Sequence, residues 1–158
     1  MRQRTLVIAG LAAVGVAIAI AVPTAIIAMQ GSHELKFEYS KSGGIAGISQ
    51  ELAFDSTTGI ISFNQSALNS SEDRQLTSTK VQELRQTIAG SGFFSFDAVY
   101  PRRQGPADYF SHTLTITMDG RTHSVSWVDD FATAEPVPEG LKNIVSKIQE
   151  AYDTASTS

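Results

Sequence analysis

The chain of 158 residues contains no cysteine, which excludes disulfides, thiolate chemistry and cysteine-ligated zinc sites. Basic residues are also scarce, with 12 Lys and Arg against 16 Asp and Glu. Two of the 12, Arg2 and Arg4, precede a long apolar run, so the rest of the chain has 10 basic residues against 16 acidic ones. A net charge of −6 argues against a nucleic-acid interface, which needs a basic stripe to neutralise phosphates. It also argues against electrostatic adhesion to anionic lipid.

Only one long hydrophobic run is present, from Thr5 to Met29. From Thr5, and from Leu6 onward, it carries no charge, and Pro23 is its only proline. As a helix these residues would reach roughly 37 Å, more than the roughly 30 Å of a bilayer's hydrocarbon core. Residues 1–30 are therefore predicted to form one transmembrane helix that anchors the protein in the cell membrane. Because both flanking arginines precede the run, we expect a cytoplasmic N-terminus and an extracytoplasmic domain.

Two other interpretations of this segment stay open: a cleaved signal peptide, which would release a secreted protein, and a buried helix. A signal has an apolar core of about 7–15 residues followed by a small-x-small cleavage site. The run here is longer, and its late candidate, Ile26-Ile27-Ala28, fits that site poorly. Whether the segment is an anchor or a signal peptide, residues 31–158 form the functional part, and their number is a common size for one domain.

Residues 31–158 are predicted to fold as a single α+β domain. Alternating apolar and polar residues predict five strands, at 34–40, 45–54, 60–63, 109–118 and 121–128. Helical spacing predicts two helices, the first from Thr79 to Gly90 or Gly92 and the second over 139–152. The order β-β-β-α-β-β-α favours a five-stranded, mainly antiparallel sheet with both helices on one face. The polar stretch 64–78 is interpreted as a surface loop, and its sequons at Asn64 and Asn69 suit an outward-facing position.

A tight hairpin at Asp119-Gly120 is the clearest local signal, because this dipeptide favours two-residue turns. The turn sets a register that pairs Ile116 with His123 and His112 with Trp127. The two histidines then share a face but lie about 13 Å apart, at roughly 3.3 Å per residue. Ligands of one zinc ion must each lie about 2 Å from the metal. We therefore predict no metal site and interpret His112 as stacking near the tryptophan.

No catalytic motif is found, and we expect no cofactor. The chain has no Gly-x-Ser-x-Gly elbow, and Ser42-Gly43-Gly44 is not followed by a predicted helix. The pair Asp129-Asp130 is interpreted as the end of a strand, because neighbours on a strand point to opposite faces. An enzymatic function is therefore not expected.

The glycine-rich segment after the first strand predicts a hairpin bend, because only glycine readily accepts the backbone angles of such bends. It consists of Gly43, Gly44, Ile45, Ala46, Gly47 and Ile48. A phosphate loop would lead into a helix, whereas the following residues are extended. Isoleucines at such a bend can stay exposed, as in a loop that binds a partner.

In these residues the chain resembles the emfourin family, proteinaceous inhibitors of thermolysin-like metallopeptidases such as protealysin. The resemblance covers roughly Leu35 to Ile148. It rests on the following segments: Ser42–Ile48, Ser91–Phe94, Gly105-Pro106-Ala107-Asp108-Tyr109-Phe110, Thr113–Met118, Gly120–Val125 and Pro138–Leu141. Two features depart from the family: the anchor-like N-terminus and the polar stretch 64–78.

The resemblance implies a small α/β inhibitor without a cofactor, which docks loops in a peptidase's active-site cleft. The candidate binding residues are those of 43–48 together with Gly105, Asp108, Tyr109 and Phe110. A membrane-tethered inhibitor of a thermolysin-like metallopeptidase is one functional hypothesis. A cell-surface interaction module with another partner, without inhibitory activity, is the alternative.

Overall fold

A computed structural model describes residues 34–157. In chain order the elements are β1 (Leu35–Gly43), β2 (Ile48–Asp55), β3 (Ile60–Gln65), a 3₁₀ turn (Ser66–Leu68), β4 (Ser70–Gln75), α1 (Ser78–Ser91), a second 3₁₀ turn (Phe93–Ser95), β5 (Phe110–Met118), β6 (Arg121–Val128), α2 (Glu139–Thr154) and β7 (Ser156–Thr157).

The strands form one sheet in the order β6-β5-β1-β2-β3-β4-β7, and every neighbouring pair is antiparallel. Alternate residues of each strand point to opposite faces. One face packs against α1 and α2, which also contact each other. The other face is open to solvent and carries mainly hydroxyl and charged side chains, including those of Lys36, Glu38, Thr115 and Thr117.

A single hydrophobic core lies between the sheet and the helices. Strand residues such as Leu35, Leu114 and Ile116 have no exposed surface. They meet the buried stripe of α2, formed by Leu141, Ile144, Ile148 and Ala151. Burial of each such side chain contributes about 1.5–3 kcal/mol, so this layer holds the domain together without disulfides.

Both predicted helices are present, with different ends. The Thr77 hydroxyl, rather than that of Thr79, caps α1 by accepting the N–H of Lys80 at 3.3 Å. The first helix ends at Gly92, which has a positive φ of 78° as the glycine signal indicated. In the segment that follows, Phe93 is fully buried against Phe94 and Phe96.

The prediction of five strands was wrong. Residues 64–78, expected to be a loop, contain the end of β3 and the whole of β4, and two C-terminal residues add β7 at the edge. No apolar alternation marks β4, because its inward-facing Glu72 and Arg74 pair with each other at 2.9 Å instead of entering the core. Arg74 also donates to the Tyr152 carbonyl oxygen at the end of α2, at 3.0 Å. Charged side chains are typical of strands near a sheet edge, where they discourage pairing with other chains.

The predicted β5–β6 hairpin is confirmed. Asp119 and Gly120 both have positive φ, 52° and 78°, as a two-residue turn of this kind requires. Ile116 lies opposite His123, and His112 lies opposite Trp127. The expected separation of the two histidines therefore follows from the observed register.

The predicted membrane anchor, residues 1–30, lies outside the described residues. Within residues 34–157, no helix is both long and apolar enough to cross a membrane.

Candidate functional site

The glycine loop, residues Gly43–Ile48, joins β1 to β2 at one end of the sheet. Gly43 and Ile48 pair across the hairpin, which leaves four residues to make the turn. The Gly47 N–H donates to the Gly44 carbonyl oxygen at 3.0 Å. All three glycines have positive φ, between 60° and 130°, a region that other residues adopt only with strain. The glycines therefore permit this backbone conformation, and the hydrogen bond between Gly47 and Gly44 closes the turn.

Ile45 lies at the tip of this loop with 93% of its surface exposed. Ala46 and Gly47 are exposed as well, whereas Ile48 is half-buried. An isoleucine that gains nothing from the core is free to be buried in a partner. Leu68, in the first 3₁₀ turn, is the next most exposed large apolar side chain, at 71%.

Tyr109 and Phe110 lie directly against the glycine loop. The Gly44 N–H donates to the Tyr109 carbonyl oxygen at 3.2 Å, and Gly43 pairs with Phe110. A Cβ atom on Gly44 would come within 3.0 Å of the Phe110 ring. The Lys41 ammonium lies 4.3 Å from the centre of the same ring. We call the glycine loop, Lys41, Tyr109 and Phe110 together the glycine end of the domain.

The remaining predicted binding residues, Gly105 and Asp108, are exposed on the segment that leads to Tyr109. Gly105 has a φ of 116° and no atom within 4 Å of an added Cβ. The Arg102 guanidinium lies 5.8 Å from the Tyr109 ring centre. Both predicted loops therefore reach the same end of the sheet, but the contacts with the glycine loop are made by Tyr109 and Phe110.

A chain of hydrogen bonds connects the core to the glycine end. The Tyr39 hydroxyl lies 2.9 Å from His112 Nδ1, and His112 Nε2 lies 3.1 Å from Asp129 Oδ1. The second oxygen of Asp129 accepts the backbone N–H of Phe110 at 2.8 Å. The arrangement fits a neutral imidazole that accepts from Tyr39 and donates from Nε2 to the carboxylate. Trp127 stacks on the imidazole, with ring centres 5.2 Å apart and planes 8° apart.

Burial sets the direction of the pKa shifts of His112 and Tyr39, whereas hydrogen bonds set that of Asp129. Burial lowers the pKa of His112 below its ordinary value of 6.5, although the Asp129 carboxylate acts in the opposite direction. Burial also raises the pKa of Tyr39 to about 12, with a contribution from the Asp129 charge. For Asp129 itself burial favours a raised pKa, but the hydrogen bonds from Phe110 N–H and His112 outweigh it and lower that pKa. At neutral pH the cluster thus holds a neutral histidine, a phenol and a carboxylate.

The hydrogen bonds of these groups join β1, β5 and the residue that follows β6. The phenol of Tyr39 is a poor nucleophile with its pKa so high and its side chain only 5% exposed. Over the part of the chain that the structure covers, no three His, Asp or Glu side chains are placed to hold a metal ion. A groove of about 520 Å³ lies elsewhere, on the open face of the sheet. Its lysine, Lys36, is already paired with Glu34 and Asp55, at 3.0 and 3.4 Å.

Sequence reasoning missed Asp129, which was interpreted only as the end of a strand. The predicted pairing of the two hairpin strands could have indicated its position. Since His112 lies opposite Trp127, the residue two positions further along, Asp129, points to the same face and lies diagonal to the imidazole. Lys41 was missed too, although it directly faces His112 on β1.

No protein-family model matches this chain, and none of the curated proteins matches it either.

Proposed function

We propose that this domain is a binding protein that docks its glycine end in the active-site cleft of a thermolysin-like metallopeptidase and thereby inhibits it. The observation that carries the proposal is the position of Ile45. Its side chain is almost fully exposed at the tip of a loop in which three glycines adopt positive φ. The resemblance of the sequence to emfourins supports this choice of partner.

Burial of one isoleucine side chain in an apolar pocket contributes about 1.5–3 kcal/mol. The gain is retained when the loop is already ordered, because little conformational entropy is then lost on binding. The backbone hydrogen bonds within the loop and to Tyr109 supply this order. An ordered loop also suits an inhibitor, since a peptidase cleaves segments that adapt to its cleft. The half-buried Tyr109 and Phe110 widen the apolar contact surface beside Ile45.

An alternative is that the same end binds a different protein at the cell surface without inhibiting a peptidase. Both functions use the glycine end, so they differ in the partner and not in the site.

Inhibition is tested with the full chain in mild non-ionic detergent, assayed against thermolysin with a peptide substrate. We expect slowed hydrolysis, and an inhibition constant about 10–100-fold higher for Ile45→Ala, since the lost burial corresponds to about 1.5–3 kcal/mol. Val99→Ala is the matched control, because it removes another exposed aliphatic side chain, which lies beside Ser126 of β6 and outside the glycine end. It should leave the inhibition constant unchanged.

Absence of any slowing at micromolar protein would refute inhibition of this peptidase. Recovery of a non-peptidase partner from a pull-down, lost in Ile45→Ala but not in Val99→Ala, would favour the alternative.

Membrane tethering stays a prediction from the sequence. Glu34 precedes β1 at the end of the sheet opposite the glycine loop, and the nine residues of β1 separate them by roughly 30 Å. An anchor before Glu34 would therefore leave the glycine end pointing away from its attachment. A soluble, cleaved form in the culture medium would contradict the anchor.

A further inference from the structure

The cluster of Tyr39, His112 and Asp129 links the core to the glycine end. Tyr39 is buried among core residues, whereas Phe110 packs beneath Gly44. Asp129 joins the two, because one of its oxygens serves His112 and the other serves the Phe110 backbone. The imidazole is therefore two hydrogen bonds away from Phe110, which contacts the glycine loop.

We propose that His112 and Asp129 are positioning residues, which hold Phe110 and the glycine loop in the docking geometry while the imidazole is neutral and release them when it is protonated. Neither residue needs to touch the partner. The proposal rests on the proposed docking function only for its effect on binding, whereas the coupling of His112 to Phe110 is a property of the domain itself.

The charged and titratable groups that face His112 come from two elements. On β1 these are Tyr39, which donates to Nδ1, and Lys41, whose positive charge opposes protonation. After β6 these are Asp129, which is bonded to Nε2, and Asp130, and both favour protonation. Burial outweighs the two carboxylates, since only 11% of the imidazole side chain is exposed.

Protonation disturbs the cluster through Nδ1. A neutral imidazole accepts the Tyr39 O–H there, but an imidazolium carries a proton on the same atom. The Tyr39 hydroxyl must then turn and find another acceptor, in a side chain that is only 5% exposed. A buried donor without an acceptor costs about 1–3 kcal/mol. Movement of the imidazole that relieves this contact also moves Asp129, which is the acceptor for Phe110 N–H.

The first test needs no partner and uses the single tryptophan, Trp127, which stacks on the imidazole. An imidazolium in this position quenches indole fluorescence, so acidification should lower the emission of the full chain with a midpoint below pH 6.5. Over the same pH range, hydrogen exchange should show the protection factor of the Phe110 amide falling at least about fivefold.

His112→Gln should abolish both changes, because a glutamine does not titrate and its amide can still donate to Asp129. His123→Gln is the matched control: this histidine lies in the same hairpin but bonds the Phe96 carbonyl oxygen at 2.9 Å. It should keep both changes. A Phe110 protection factor that stays constant while Trp127 titrates would overturn the proposal, as would loss of the titration in His123→Gln instead.

The second test measures inhibition of thermolysin at pH 7.5 and at a pH about one unit below the fluorescence midpoint of the first test. The wild-type inhibition constant should rise at least about fivefold at the lower pH relative to that of His112→Gln, which corrects for the peptidase's own pH dependence. Asp129→Ala should weaken inhibition about tenfold at pH 7.5 while its far-UV spectrum stays native, because the Phe110 N–H loses its acceptor. Equal pH dependence in wild type and His112→Gln would overturn the link to docking. If the wild type does not inhibit at all, the proposed function fails and the first test still decides the coupling.

Discussion

The two ends of the sheet contain different kinds of connection between neighbouring antiparallel strands. At the glycine end, four residues with three positive-φ glycines join β1 to β2 and leave Ile45 exposed. At the opposite end, which we call the turn end, the two residues Asp119 and Gly120 join β5 to β6. The Asp119 carboxylate accepts from Arg85 of α1 at 2.6 Å, and Arg85 also donates to the Glu34 carbonyl oxygen at 3.0 Å.

The two connections differ in length and in the side chains that they expose. Two residues are enough to connect neighbouring antiparallel strands, and the Asp119-Gly120 turn places a polar side chain against α1. The longer glycine loop, with its exposed isoleucine, adds nothing that the hairpin requires. Under the proposed function, the exposed Ile45 is the apolar side chain that the partner buries.

Replacing residues 44–47 by Asn-Gly would give the glycine end the same kind of turn as the opposite end, and we expect the largest effect here. Inhibition of thermolysin should weaken at least about 100-fold, because Ile45 and its support are removed together. The free energy of unfolding, measured by urea denaturation, should change by less than about 1 kcal/mol, since Asn-Gly suits a two-residue hairpin.

The matched control is Asp119→Asn, which creates Asn-Gly at the turn end and should leave inhibition unchanged. Full inhibition by the shortened variant would place the docking surface elsewhere.

Replacing one glycine at each end by alanine compares how much each end contributes to the free energy of unfolding. At Gly43, with a φ of 130°, an added Cβ would lie 2.5 Å from the Tyr109 carbonyl oxygen. Gly43→Ala should therefore lower the free energy of unfolding by about 2–3 kcal/mol. Gly120→Ala should cost only about 1 kcal/mol, because its φ is positive but no atom lies within 4 Å of the new Cβ.

Urea denaturation of both variants measures this difference. Equal losses would mean that backbone strain alone, and not the contact with Tyr109, limits the residue at position 43.

The smallest expected effect is a pH dependence of stability that arises at the glycine end. Because the folded-state pKa of His112 lies below 6.5, the unfolded chain binds a proton more readily than the native one. The contribution of the neutral imidazole is therefore complete above pH 6.5 and is lost as the pH falls through the folded-state pKa. Asp129 acts in the same direction at lower pH, since its lowered pKa stabilises the fold above 3.8 and less below it.

Urea denaturation at pH 7.5 and pH 5.5 should thus show a lower free energy of unfolding at the acidic pH. The loss should be smaller in His112→Gln than in His123→Gln. A wild type that is more stable at pH 5.5 would show that the attraction to Asp129 outweighs burial.

Local patterns predicted much of this fold and part of the candidate site. The alternation of β5 and β6 and the Asp119-Gly120 turn gave the correct register, and with it the stacking of His112 on Trp127. The strand β4 was missed because its inward residues, Glu72 and Arg74, satisfy each other and carry no apolar signal. Asp129 was missed because its role depends on a backbone N–H, that of Phe110, which lies 19 residues away.

By itself the sequence determined an acidic, cysteine-free α+β domain, a tight hairpin and a glycine-rich bend, because each depends on composition or on residues close in the chain. Only the tertiary structure decided that Tyr109 and Phe110 lie against that bend, and that Tyr39, His112 and Asp129 support it. Side chains on three separate segments meet there through strand pairing, and local patterns do not encode the order of the strands in the sheet. The sequence indicated that Ile45 is exposed, but not that Tyr109 and Phe110 contact the loop that carries it.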